Sequence, residues 1–429
     1  MASLDTLTLG DWLAHIERLH EQPVALGLER VLAVKGALGA APDAPVITVG
    51  GTNGKGSTCA LIERMLRCAG YRTGLYTSPH LLAFNERVRI DGEAADDAAL
   101  CRAFARVEAA RGGIPLTYFE FATLAAWQAF ASAGVEALIF EVGLGGRLDA
   151  VNAFDTDCAV VASIDFDHME FLGVTRESIG REKAGIFRAG KPAIVGDARP
   201  PASVIEHAAA VGADLQLIGR DYGYEGGQGQ WTYWGRRGRR AGLAHPALRG
   251  AVQLANASTA IAALEVMAQR LPVTAQDIRR GLAEVEVAGR FQVLPGLPLT
   301  ILDVAHNPQA VAVMVENLAV MPFHGRTFAV FGMLADKDVA GVVERARGAI
   351  DRWLVAGLPG PRGMTAEALG ALLARLGIAS VDRFDSPAEA WRSAAGQAKE
   401  NDRIIIFGSF LTVADVLKAM NDGRKRPAA

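Results

Sequence analysis

Long apolar runs are missing from this sequence. No stretch approaches the roughly 20 apolar residues that cross a bilayer, so no membrane association is expected. Cysteine is scarce too. The four present, Cys59, Cys68, Cys101 and Cys158, are widely spread and never form a C-x-x-C pair, so neither a disulfide framework nor a zinc site is suggested. They are expected to be small buried apolar residues in a reducing compartment. Charge of one sign is also lacking: a net charge of -3 gives no broad positive field for a nucleic-acid backbone. Any anion must therefore be held locally. The start, Met1 to Leu9, has no basic segment followed by an apolar run, so a cytoplasmic protein is expected.

What is there is a folded, soluble composition, half apolar and 21% charged, over 429 residues. That length exceeds the roughly 250 to 300 residues at which single cores stop growing, so two domains are expected. After an opening helix near Leu9–Leu19, short β-branched runs read as strands at Pro45–Val49, Thr73–Tyr76, Ala137–Phe140, Ala159–Ile164 and Pro192–Val195, with helical periodicity between them. Such alternation predicts an α/β fold with a mostly parallel sheet covered on both faces. Glycines, aromatics and arginines between Tyr222 and Leu248 suggest a small antiparallel meander, followed by a helix from about Asn256 to Arg270. A second alternating series follows, with strands near Leu299–Val304, Thr327–Phe331, Trp353–Ala356 and Arg403–Phe407. The expected division is 1–287 and 288–429, with a boundary near Glu284 to Gln292.

The first strand runs into Gly51-Thr52-Asn53-Gly54-Lys55-Gly56-Ser57, and a helix follows. A glycine-rich turn there exposes successive backbone N–H groups at a helix N-terminus, a seat for phosphate. Lys55 adds a mobile positive charge, and Ser57 can offer a hydroxyl to magnesium. Glu141, immediately after the strand Ala137–Phe140, is a candidate metal ligand. Asp165, Asp167 and His168 follow the next strand, on the rim where open α/β sheets bind ligands. Asp303, His306, Asn307 and Pro308 stand at the equivalent rim of the second series. On spacing alone Lys183 reads as a solvated helix face. The cluster Arg236, Arg237, Arg239 and Arg240, beside Trp231 and Trp234, likewise reads as a solvated meander.

These motifs together resemble the folylpolyglutamate synthases, including their bifunctional dihydrofolate synthase forms, within the Mur ligase superfamily. The likeness covers nearly the whole chain. It rests on Leu26-Gly27-Leu28-Glu29-Arg30-Val31, Gly51 to Ser57, Thr77-Ser78-Pro79-His80-Leu81, Glu86-Arg87-Val88, Leu116 to Glu120, Glu141 to Asp149, Asp167-His168, Ile179 to Phe187, Gly289-Arg290-Phe291 and Asp303 to Pro308. It implies a P-loop-containing ATPase domain with the meander, plus a second, Rossmann-like α/β domain that ligates glutamate.

Carried over by position, the resemblance implies magnesium at Ser57, Glu141 and His168. It implies a second magnesium at a carbamylated Lys183, and it allows a monovalent cation. ATP would meet Gly51 to Ser57, Asn256, Arg290 and Asp303. His306 and Ser409 would lie toward glutamate, and Lys55, His168, Lys183 and His306 would be the catalytic set. The pterin would meet Val24, Ala25 and Leu26, the segment Thr117, Tyr118, Phe119 and Glu120, and the turn at Arg147 and Leu148. Two departures stand out: Ala25 lies where some relatives carry an acid, and Val151 replaces a threonine.

The implied reaction is ATP-dependent ligation of L-glutamate to dihydropteroate and to reduced folates through an acyl phosphate, in a monomer that closes on its substrates. A folylpolyglutamate synthase without the dihydropteroate activity is the nearest alternative. A Mur-type amino-acid ligase would need more than Met1 to Ala44 before the loop strand for its nucleotide-sugar domain. A non-catalytic ATP-binding switch would not need the rim acids and His168.

Overall fold

The computed structural model describes residues 7–22, 24–39, 41–226, 229–250, 252–322 and 325–425. The opening segment Met1–Thr6, part of the leader reading, lies outside the described residues. The chain divides into two compact units, Met1–Ala247 with Leu254–Val285, and Leu248–Gln253 with Glu286–Ala429.

Among the described residues the first unit holds an eight-stranded sheet. Its strands are β1 (Val46–Gly50), β2 (Thr73–Tyr76), β3 (Val88–Ile90), β4 (Glu93–Ala94), β5 (Ala137–Glu141), β6 (Cys158–Val161), β7 (Pro192–Val195) and β8 (Asp214–Leu217). Their order is β4-β3-β2-β5-β1-β6-β7-β8, parallel from β2 to β8. Every residue of β1, β5 and β6 is buried, so both faces of the sheet centre are covered and the strands carry apolar side chains on both sides. A three-stranded antiparallel meander follows: β9 (Gly223–Gly226), β10 (Gln230–Gly235) and β11 (Gly238–Ala244). Arg236, Arg237 and Arg239 are exposed, Arg236 pairing with Asp214 at 2.8 Å and Arg239 with Glu225. Arg240 departs from the solvated reading: its side chain is 27% exposed and turns onto the buried Glu265 at 3.1 Å.

The second unit carries β12 (Gln292–Leu294), β13 (Leu299–Leu302), β14 (Thr327–Phe331), β15 (Arg352–Ala356), β16 (Val381–Phe384) and β17 (Arg403–Phe407), in the order β12-β13-β17-β14-β15-β16. All but the edge strand β12 run parallel.

Several expectations shift in detail. The strand expected over Ala159–Ile164 ends at Val161, because the backbone beyond it turns to hydrogen-bond the glycine loop. The helix expected from Asn256 starts at Val252 and ends at Val266. Cys59 and Cys158 are buried as expected, whereas Cys68 and Cys101 are only half-buried; all four are free thiols. The short strands β3, β4, β8, β12 and β16 are not among the expected ones, because runs of two to four residues are too short to show a periodic pattern.

The helix Tyr118–Ala133 shows how local chemistry sets an element. Thr117 caps its N-terminus and Glu120 completes the capping box, while Gly134, left-handed at φ 61°, ends it. Its Trp127 packs on the stacked rings of Phe140 and Phe154, with centroids 4.3 Å from Trp127 to Phe154 and 5.3 Å from Phe140 to Phe154. Replacing Phe140 by Ala should cost about 3–5 kcal/mol through the cavity left under this cluster. Denaturant unfolding followed by circular dichroism would read it, and a loss below about 1 kcal/mol would show that the ring is not central to the packing.

Candidate active site

The glycine loop sits at the carboxyl end of β1, between β5 and β6. The register sets Val49 beside Glu141 and Gly50 beside Val161, so three strand ends finish at one edge. The loop is anchored to the segment after β6. The Thr52 amide donates to the Ser163 carbonyl at 2.7 Å. The Thr52 hydroxyl donates to the Asp165 carbonyl at 3.0 Å and accepts from the Asp165 amide at 2.9 Å. The Asn53 amide donates to Ser163 Oγ at 3.1 Å, which returns a bond to the Asn53 carbonyl at 2.9 Å.

Two loop positions require glycine. Gly51 has φ 142°, and a Cβ there would lie 3.1 Å from the Ala162 and Ser163 amides. Gly54 has φ 85°, and a Cβ would meet Asn256 Oδ1 at 2.7 Å. Asn256 therefore stands against the loop. Gly54 also caps the helix Lys55–Cys68 with no side-chain bond to its first turn, leaving that turn's amides to an outside acceptor. Lys55 Nζ folds back over the loop, 3.1 Å from the Gly51 carbonyl and 3.3 Å from that of Thr52. Ser57 is buried on the same turn.

Glu141 is the last residue of β5 rather than the first beyond it, and it is buried. Its Oε2 accepts the Ser78 amide at 3.1 Å. Its charge and that of Lys55 both reach the buried Cys59 thiol, which burial pushes well up. His168 sits at φ 49°, a left-handed position that side chains rarely take, with its amide on Asp167 Oδ1 at 2.9 Å and 33% of its side chain exposed. Among the described residues no three His, Cys, Asp or Glu side chains form a self-sufficient metal cluster. The donors fit magnesium in another way. Ser57 and Glu141 supply hard oxygens, and a magnesium ion characteristically completes its shell with waters and substrate phosphates.

Lys183 overturns its reading as a solvated side chain. It is 4% exposed, on the inward side of the helix Arg176–Ala184, where the Gly146 backbone packs so closely that a Cβ would lie 2.9 Å from the Lys183 carbonyl. Burial, with the like charge of Lys55, lowers its amine to about 7, while Asp167 and Asp149 partly offset this. Asp149 is buried as well. Burial raises it to about 6, against the amides of Leu144 at 2.8 Å and Val151 at 3.0 Å. Asp149 and Ser78 were not singled out from sequence, although both lie within quoted motifs.

The three expected pterin segments adjoin one another. The Gly27 amide donates to the Leu148 carbonyl at 3.4 Å, and Arg30 links Ala25 to Glu120. A cavity of about 760 Å³ is lined by Val24, Ala25, Leu26, Arg30, Pro115 and Phe171, among others. Phe119 packs against Gly143, Tyr118 is half-buried beside the Arg87 guanidinium, and Arg147 is largely exposed, paired with Glu182 at 2.9 Å. Phe171 was missed, since one exposed aromatic in the single-turn helix Met169–Leu172 carries no periodic signal.

In the second unit Asp303 lies beyond β13, and Ser409 beyond its parallel neighbour β17. Burial raises Asp303 to about 6, offset by the charge of Arg290 and by the amides of Ala305 and Phe291. His306 Nδ1 donates to the Val304 carbonyl at 2.8 Å, which fixes the proton of the neutral ring on that nitrogen. Phe410 joins these groups, with the Arg290 guanidinium 5.6 Å from its ring centre and the His306 ring at 6.2 Å. Ser409 is buried and accepts the Leu411 amide at 3.2 Å.

Two family descriptions match the chain: Mur ligase middle domain over residues 49–264, and Mur ligase, glutamate ligase domain, over 289–410. The dihydrofolate synthase/folylpolyglutamate synthase of Escherichia coli (strain K12) is 46% identical over 417 residues, 97% of this chain and 96% of that one. The chain belongs to the dihydrofolate synthase/folylpolyglutamate synthase family. Among solved structures of the family, E. coli FolC in complex with DHPP and ADP superposes with TM-score 0.93 at 44% identity, covering 98% of this chain and 99% of that one. A bifunctional folylpolyglutamate synthase/dihydrofolate synthase with Mn, AMPPNP and L-glutamate bound superposes with TM-score 0.91 at 44% identity, covering 98% and 100%. No helix among the described residues is long and apolar enough to cross a membrane.

The buried lysine generates a pH prediction. The folded chain releases the Lys183 proton near pH 7, whereas the unfolded chain keeps it to about its ordinary value of 10.5. Between those values the unfolded chain holds the extra proton, so this group makes stability rise with pH across the window and contribute no slope above it. In carbon-dioxide-free buffer, Lys183→Met should remove that part of the slope. Wild-type and variant unfolding profiles that run parallel from pH 7 to 10 would refute it.

Proposed function

We infer that this chain is an ATP-dependent ligase that joins L-glutamate to folates, taking both dihydropteroate and reduced folates as acceptors. The observation that carries this is the phosphate-type loop Gly51–Ser57, with Glu141 at the neighbouring strand end, in the same unit as a 760 Å³ cavity lined by Val24, Ala25 and Leu26. The relatives named above carry both activities in their names, and their structures hold ADP or AMPPNP, Mn and L-glutamate.

The acceptor carboxylate oxygen attacks the γ-phosphorus of ATP, ADP leaves, and an acyl phosphate forms. The glutamate amine then attacks the acyl carbon and expels phosphate. No nucleophilic side chain is required, since positioning and charge neutralisation can supply the rate. The loop amides and Lys55 hold the phosphates, and Asn256, Arg290 and Asp303 serve the nucleotide. Ser57, Glu141 and His168 would hold magnesium, which when bound offsets charge on the transferring phosphoryl group. His306 and Ser409 orient glutamate. Thr117, Tyr118, Phe119, Arg147 and Leu148 complete the pterin seat. A cytoplasmic monomer without nucleic-acid or membrane partners belongs to the same reading.

A carbamate on Lys183 is part of the proposal. Carbon dioxide adds only to a neutral amine, and burial holds this one near pH 7, where a substantial fraction has lost its proton. The product is an anionic oxygen donor in place of a cation, suited to a second magnesium.

Phosphate release assayed separately with dihydropteroate and with tetrahydrofolate should be glutamate-dependent for both. Turnover with tetrahydrofolate alone would leave a folylpolyglutamate synthase. Lys55→Ala should lower turnover by roughly 100-fold or more, through loss of charge stabilisation at the phosphates, and unchanged turnover would remove its assigned role. In ¹³C-bicarbonate, the wild type should show a carbamate resonance that Lys183→Ala lacks. Identical spectra would exclude the carbamate.

A further inference from the structure

The loop Val24–Leu26 lines the cavity without belonging to a helix or strand, so something else must fix its backbone. Arg30, in the first turn of the helix Glu29–Leu38, does so. Its Nη2 donates to the Ala25 carbonyl at 2.6 Å and to Glu120 Oε1 at 2.8 Å, and its Nε lies 3.1 Å from both Glu120 oxygens. Glu120 is 3% exposed, and its Oε2 also accepts the Thr117 amide at 2.7 Å. The carboxylate is thereby held by a helix terminus, the guanidinium by the carboxylate, and the loop carbonyl by the guanidinium. The guanidinium turns two nitrogens toward the carboxylate while Nη2 also reaches the carbonyl; a lysine ammonium has three donors, but on one nitrogen, and does not reproduce that two-nitrogen fork.

We propose that Arg30 is a positioning residue for the acceptor substrate: anchored on Glu120, it holds the Ala25 carbonyl and thereby the shape of the cavity wall. This rests on the reading of that cavity as the pterin seat. It also gives Glu120 a different task from the substrate contact expected of it, because both its oxygens are engaged within the protein. Without Arg30, Glu120 would keep one backbone donor for a buried carboxylate, and the Ala25 carbonyl would lose its guanidinium partner.

The test is steady-state kinetics on the full-length enzyme, varying dihydropteroate, ATP and glutamate in turn. Arg30→Gln should raise the acceptor KM roughly tenfold or more, the scale of a lost charge-assisted hydrogen bond, with the KM values for ATP and glutamate within about twofold of wild type. Arg30→Lys should be impaired in the same direction, and it carries the test if the glutamine variant fails to fold. Glu120→Gln should raise the acceptor KM likewise, and the double variant should be no worse than the more impaired single one, since the two side chains act as one unit. An unchanged acceptor KM, equal rises for all three substrates, or additive effects in the double variant would each overturn the proposal. If the wild type turns over no pterin acid at all, the pterin reading of the cavity fails; if it does and the acceptor KM ignores Arg30, only this inference fails.

Discussion

Hydrogen bonds between the glycine loop and the segment after β6 hold the arrangement on which the rest of the first unit depends. Parallel pairing of β5, β1 and β6 ends three strands at one edge, but that alone would leave a loose turn. The paired bonds from Thr52 and Asn53 to Ser163 and Asp165 convert it into a fixed cradle. They consume the loop's inward-facing polar groups, while the first turn of the helix Lys55–Cys68 has no side-chain cap. The same bonds fix the start of the Asp165–His168 segment, so the groups proposed for magnesium and those proposed for phosphate share one anchor.

Around this cradle the protein buries charge at a cost. Lys183 is pushed down and Asp149 pushed up by removal from water, and the two are near enough to feel each other. In the second unit Asp303 is raised in the same way beside Arg290. Buried ionisable groups rarely stabilise a fold by themselves. Their concentration at sheet edges, with shifts caused by desolvation, is characteristic of sites whose chemistry depends on charge.

A second arrangement in the first unit turns on one carboxylate. Glu120 completes a helix cap, grips Arg30, and through it fixes a loop that has no secondary structure of its own. A capping residue is legible in sequence as Thr117-x-x-Glu120. Its second partner, ninety residues earlier in the chain, is not.

The sequence by itself determined the alternation of strands and helices, the glycine loop with its strand and helix, and the family, because these are encoded by neighbours a few residues apart: β-branched runs, glycines and caps. It also placed Glu141 and Asp303 at strand ends, to within two residues. Only the tertiary structure decided that Lys183 is buried rather than solvated, since its charged neighbours in the chain conceal the Gly146 backbone packed against it. The short edge strands, the early end of β6, the position of Phe171 and Phe410, and the clamp from Glu120 through Arg30 to Ala25 were settled there too. Each depends on contacts between distant segments, which local periodicity cannot carry.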